Sequence, residues 1–249
     1  MTAVPHLQEA TPPDFSTTLI ERIRSLIGRG QFNAASLLLP TLEKLGVPAE
    51  RISFLRVEIA LGRGDQDAAR SAIDAGLARD PHSADLLVLR ARFALANRDL
   101  VGAALAAADA ITAAPDHGAA KSLLGQALLA LGQTEQAVIC LREAADELPG
   151  DPGTIEALTT AAPREAVAAI REWIAGGHAG TPIRNLLINA LLAAGETEMA
   201  TAEIRTLTAA GLGDGQTSLL AVKAAIDAEN WSEATTLFNA TTRHLPRHA

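Results

Sequence analysis

A small set of residues recurs along this chain at one fixed step, and that step limits what the chain can fold into. Pro81, Pro115 and Pro149 stand 34 residues apart. Ala69, Ala103 and Ala137 keep the same interval, each twelve residues before its proline. Gly30, Gly64, Gly132 and Gly195 each lie five residues ahead of an alanine, namely Ala35, Ala69, Ala137 and Ala200. Pro246 follows Ala234 by twelve. A period of this size marks an array of similar units, because one such unit cannot bury its apolar face except against its neighbours.

The stretch LLGQALLALGQTEQAVICLREAADELP, residues 123–149, shows what a unit contains. An apolar helix ends at Gly132, where a left-handed turn costs little. A second, amphipathic helix follows and stops at a turn marked by Pro149. Gly125, Ala137 and Ala144 are small where two helices are expected to cross, since larger side chains would push the axes beyond the usual spacing of about 8–10 Å. Ala137→Leu is therefore expected to overpack the crossing.

Composition agrees with close helix packing. Hydrophobic residues make up 48% of the 249, yet aromatics are only 3% and Tyr is absent, so the core is built from Leu, Ile, Val and Ala. Such side chains suit helix crossings and suit a deep aromatic cofactor pocket poorly. A formal net charge of −8 weighs against nucleic acid and mildly favours neutral or basic partners. The single cysteine, Cys140, allows no intrachain disulfide and points to a reducing compartment. The first fifteen residues have neither the basic nor the apolar region of a signal peptide, and Pro5, Pro12 and Pro13 suggest a mobile tail. No apolar run is long enough to span a bilayer. A cytoplasmic location with no membrane partner is the expectation.

Catalytic chemistry is not visible. The six histidines, His6, His82, His117, His178, His244 and His248, have no partner at metal-ligand spacing on a helix. Cys140 reads as a packing residue. AGLGDGQTS, residues 210–218, lacks the lysine and the preceding strand of a phosphate loop and reads as a Gly-rich turn between units. No cofactor, metal site or catalytic residue is expected.

These residues resemble the tetratricopeptide repeat family. Its 34-residue unit carries a small residue at position 8, Gly at 15, Ala at 20, Ala at 27 and Pro at 32. Residues 118–151 meet every one, with Gly125, Gly132, Ala137, Ala144 and Pro149. Residues 84–117 match at Ala91, Ala103, Ala110 and Pro115, with Arg98 in place of the glycine. Residues 50–83 match at Gly64, Ala69 and Pro81, and depart at Val57 and Gly76. Weaker copies cover 16–49, 181–214 and 215–248. The resemblance implies an all-α, right-handed α-solenoid of about seven antiparallel helix hairpins. The division it suggests is a flexible tail (1–15), four repeats (16–151), a short irregular hairpin (152–180) and two repeats (181–249). In the short hairpin a first helix near Gly153–Ala161 is cut by Pro163, and a second runs to about Ala175. This segment could alter the pitch, act as a hinge, or be a deletion tolerated in a packed array, the last being favoured.

Function in this family means binding another protein, often an extended segment or a helix held on the concave face. That face uses positions 2, 5, 9, 12 and 13. Position 12 reads Ile27, Leu61, Leu95, Leu129, Leu192 and Ile226, and position 9 reads Arg24, Glu58, Arg92, Gln126, Asn189 and Lys223. Position 12 could equally be core, and position 9 simply solvated. The candidate partner-binding residues are Arg24, Arg92, Gln126, Asn185, Asn189 and Lys223, with Leu95, Leu129 and Leu192 as an apolar floor. Asn185 and Asn189 share a helix face, and regular stacking places Lys223 beside Asn189. Ile20 and Arg24 stand where a clamp for acidic chaperone tails needs lysine and asparagine, which argues against that role. Two functions stay open: a stand-alone adaptor, and a targeting module of a larger enzyme, such as a transferase, whose catalytic part lies outside this sequence. Trp231, Leu237 and Phe238 suggest an apolar patch on the last hairpin, covered by a second copy, a partner or further chain.

Overall fold

In a computed structural model, which describes residues 15–242, the chain forms fourteen helices and no strand among those residues. They run as seven successive hairpins: α1 (Phe15–Gly28) with α2 (Phe32–Lys44), α3 (Ala49–Gly62) with α4 (Gln66–Leu77), α5 (Ala84–Ala96) with α6 (Leu100–Ala113), α7 (Gly118–Ala130) with α8 (Thr134–Glu147), α9 (Pro152–Ala161) with α10 (Pro163–Ala175), α11 (Thr181–Ala193) with α12 (Thr197–Ala209), and α13 (Gly215–Asp227) with α14 (Trp231–Thr242). The expected hairpin count and all-helical class are met. The tail expected over 1–15 lies outside the described residues except for Phe15, which opens α1.

The repeat step is written into the backbone. Gly30, Gly64, Arg98, Gly132, Gly195 and Glu229 close the first turn of their hairpins, and all six have φ between 56° and 80°. Four of them follow each other at 34 residues, as do the last two. Arg98 and Glu229 therefore take the left-handed conformation that the glycines take freely, because the two helices they join leave no other route.

Two compact units divide at Arg90/Ala91, inside α5. In the first, Leu19, Ile20 and Ile23 of α1 meet Leu39 and Leu42 of α2 and Ile52, Leu55 and Ile59 of α3. Gly62 leaves room for the Phe32 ring, whose nearest carbon would be 2.2 Å from an added Cβ. In the second, one apolar core continues from Ala137 and Leu141 of α8 through Ile155, Leu158, Ile170 and Trp173 to Ile188, Leu191 and Leu220. The short hairpin α9–α10 is thus an interior member of a continuous core.

The small residues sit where the spacing predicts. A Cβ on Gly125 would lie 2.6 Å from Leu141 Cγ and 3.2 Å from the Ala137 carbonyl oxygen, so α7 and α8 cross at backbone contact. Ala103, Ala137, Ala144 and Ala200 are fully buried.

Candidate partner-binding face

The first helices of successive hairpins carry the candidate residues, and helix starts in the second unit are fastened by side-chain capping. Asp151 caps α9, accepting from the Thr154 amide at 2.8 Å. Asp214 caps α13 in the same way, accepting from the Thr217 amide at 2.8 Å. Each capped threonine also reaches back one repeat. The Thr154 hydroxyl donates to Ser122 Oγ of α7 at 2.8 Å, and the Thr217 hydroxyl donates to Asn185 Oδ1 of α11 at 2.8 Å. Asn185 Nδ2 in turn donates to Asp214 Oδ1 at 3.0 Å. The Thr217 amide and hydroxyl and the Asn185 amide hold the Asp214 carboxyl below its usual pKa.

This latch corrects one expectation. Asn185 does not offer its amide to a partner: it is fully buried, and both its oxygen and its nitrogen are bonded to the start of α13. It shares a helix face with Asn189, but α13 closes over it. The aspartate three places ahead of a threonine, at 151–154 and 214–217, with a polar residue 32 positions before the threonine, is the sequence signal of the latch.

The other candidates separate into groups. Arg24 is exposed on α1, in the first unit. Arg92, Leu95 and Gln126 come together in the second unit, where they line a groove of about 340 Å³ with Ala96, Leu123 and Leu148. Gln126 Nε2 donates to Ser122 Oγ at 3.0 Å and holds its amide against the groove. Arg92 is exposed at the groove's edge and makes no ion pair among the described residues. Lys223 Nζ donates to Asn189 Oδ1 at 3.3 Å, the neighbour relation that regular stacking predicts. Leu192 is core, and Leu129 packs half-buried against the same core, so the apolar floor reduces to Leu95 and the groove's own leucines.

Among the described residues no three His, Cys, Asp or Glu side chains are grouped to hold a metal ion, and no helix is long and apolar enough to cross a membrane. Burial of Cys140 raises its thiol pKa, away from thiolate chemistry.

Two models of the tetratricopeptide repeat match the chain, over residues 54–118 and 94–162. Residues 54–162 belong to the tetratricopeptide repeat family. Comparison with curated proteins finds no match. Among solved structures, the tetratricopeptide repeat protein is similar to PilW, described as a widely conserved type IV pilus biogenesis factor, with 17% identity, a TM-score of 0.62, and 80% of this chain and 94% of that one covered. A tetratricopeptide repeat protein of Parabacteroides merdae aligns with a TM-score of 0.60 at 13% identity, covering 93% and 94% of the two chains. The Cut9–Hcn1 structure of the APC/C aligns at 0.55 and 14% identity, over 92% of this chain and 46% of that one. At these identities the likeness is one of fold.

Proposed function

We propose that this tetratricopeptide repeat protein is a scaffold that holds an extended segment or a helix of a partner protein, and that the partner lies along α5, α7 and α9. The groove of about 340 Å³ carries this reading, because it joins an exposed guanidinium, an amide and an apolar floor in one place. Leu95, Leu123 and Leu148 accept an apolar side chain. Arg92 meets a carboxylate on the same segment, and guanidinium geometry suits two-point bonding. Asn189 and Lys223, further along the second unit, supply similar polar anchors for a longer partner. Scaffold function is common to the family, and the APC/C hetero-tetramer Cut9–Hcn1 is an example of a structural neighbour with a protein partner.

The test begins with affinity capture of partners and then compares two charge reversals by titration calorimetry. Arg92→Glu in the groove is expected to weaken binding by about tenfold or more, the effect of turning one charged hydrogen bond into repulsion. Arg142→Glu on α8, outside the groove, leaves it unchanged. The opposite pattern moves the site to the second helices.

A further inference from the structure

A line of four polar side chains runs from the groove into the junction of α7 and α9. Gln126 Nε2 lies 3.0 Å from Ser122 Oγ, Ser122 Oγ lies 2.8 Å from Thr154 Oγ1, and Thr154 Oγ1 lies 2.5 Å from Asp151 Oδ2. Ser122 is 4% exposed and Thr154 is fully buried, so solvent does not compete for these bonds. Gln126 and Asp151, the two ends of the line, both stand in the groove wall.

Each hydroxyl has one proton to give, and a carboxylate only accepts. The Thr154 proton has two oxygens within reach, Ser122 Oγ and Asp151 Oδ2, and the charged one, which is also the nearer, holds it. Heavy-atom positions alone permit either sense for the bond between Ser122 and Thr154. With the Thr154 proton on Asp151, the Ser122 hydroxyl supplies the proton of that bond. Ser122 then has only lone pairs left for Gln126, so it accepts from an amide nitrogen and has nothing to give an amide oxygen. Charge favours the same end. A Cβ added to Gly153 would lie 3.6 Å from both Gln126 Nε2 and Asp151 Oδ2, so the positive end of the amide and the carboxylate stand around one point. The Gln126 oxygen accepts from no described residue and is not buried, which leaves it open to a ligand.

Asn185 shows the contrasting case. At the same position of its repeat it reaches the capping Asp214 directly and spends both ends of its amide at the start of α13. Ser122 has one hydroxyl in that place, and the bond left over goes to Gln126, one turn along α7.

We propose that Ser122 and Thr154 are positioning residues that hold Gln126 with its oxygen toward the groove, and that the partner segment presents a backbone N–H there. This rests on the groove being the partner site. Arg92 can only donate, so the groove pairs one donor with one acceptor. It takes a carbonyl or carboxylate at Arg92 and an N–H at Gln126. A proline at the second place has no N–H to give and is rejected.

Side-chain amide NMR of the whole chain tests the orientation, and N-acetyl-leucyl-glutamate is the probe for binding. In the free protein the Gln126 amide protons are expected to show nuclear Overhauser contacts with Ser122 Hβ. The probe carries two N–H groups. Of its two analogues with one N–H replaced by an ester oxygen, one is expected to bind about three- to tenfold more weakly, the effect of one hydrogen bond. Thr154→Val and, separately, Ser122→Ala are expected to remove that difference, because the amide is then free to turn. Thr154→Ser keeps the hydroxyl and loses the methyl, and is expected to keep the difference; a packing role gives the opposite order for the two Thr154 variants. Far-UV circular dichroism checks the fold of each variant. Gln126 protons without contact to Ser122, equal binding of the probe and both analogues, or a difference that survives Thr154→Val and Ser122→Ala overturns this proposal and leaves the groove as the partner site. A probe that shifts neither Arg92 nor Gln126 overturns the groove reading, and this proposal with it.

Discussion

Hairpins α7–α8 and α9–α10 are neighbours in one core and solve the same packing problem in opposite ways. α7 and α8 cross at backbone contact, with Gly125 against Ala137 and Leu141, and turn through left-handed Gly132. α9 and α10 are joined by Ala162 alone, held extended at φ −150° and ψ 79° because it precedes Pro163. The first helix there has ten residues where α7 has thirteen. A large side chain makes up for the shortened unit: Trp173 is buried against α8 and donates its indole N–H to the Ala145 carbonyl at 2.9 Å. A repeat array thus tolerates a lost turn where a bulky residue restores the filled volume.

That contrast is most strongly tested by Trp173→Ala. It empties the filler of the short hairpin and strands the Ala145 carbonyl, and is expected to destabilise by about 3–5 kcal/mol in urea unfolding. A loss below about 1 kcal/mol would mean α9–α10 contributes little to the core. Next comes Ala137→Leu, which forces a large side chain into the close crossing of α7 and α8 and should cost about 1–3 kcal/mol. An unchanged melting temperature would remove the distinction between the two hairpins.

The latches extend the comparison to helix starts. Asn185→Ala removes the buried amide that bonds both the Thr217 hydroxyl and Asp214, leaves these two bonded only to each other, and is expected to cost about 1–3 kcal/mol by urea unfolding. Asp214 has its pKa lowered in the folded state, so the stability it contributes is present above the ordinary carboxylate value and lost as pH falls through the lower, folded one. The difference between parent and Asn185→Ala should accordingly narrow in acid below the ordinary aspartate range; an unchanged gap there would show that the charge on Asp214 plays no part. The smallest effect concerns the turns. Arg98→Gly relieves a left-handed arginine and is expected to stabilise by about 0.5–1 kcal/mol, after the entropy of the added glycine is set against the strain removed. A lower melting temperature would show that Arg98 holds its hairpin by its side chain.

Much of this was legible because the repeat leaves its mark on small residues. Gly125, Ala137 and Ala144 at fixed steps predict helix crossings, and Pro163 predicts the break between α9 and α10, since both rest on local sterics. The Lys223–Asn189 contact was legible for the same reason, one repeat setting the register of the next. Asn185 was misread. Its place on the helix is that of a groove residue, and its burial depends on how the start of α13 lies across α11.

By itself, the sequence determined helix positions, turn positions and the repeat step, all of which follow from backbone conformation and side-chain size within about 34 residues. Tertiary structure alone decided which polar residues remain available. Asn185 and Ser122 are both polar and both at position 5, and packing uses each as a latch. Arg92 and Gln126 are polar too, and packing leaves them at the edge of a groove. The physical reason is that a hydrogen bond between residues some 32 positions apart exists only once neighbouring hairpins have stacked, and burial is a property of that stack.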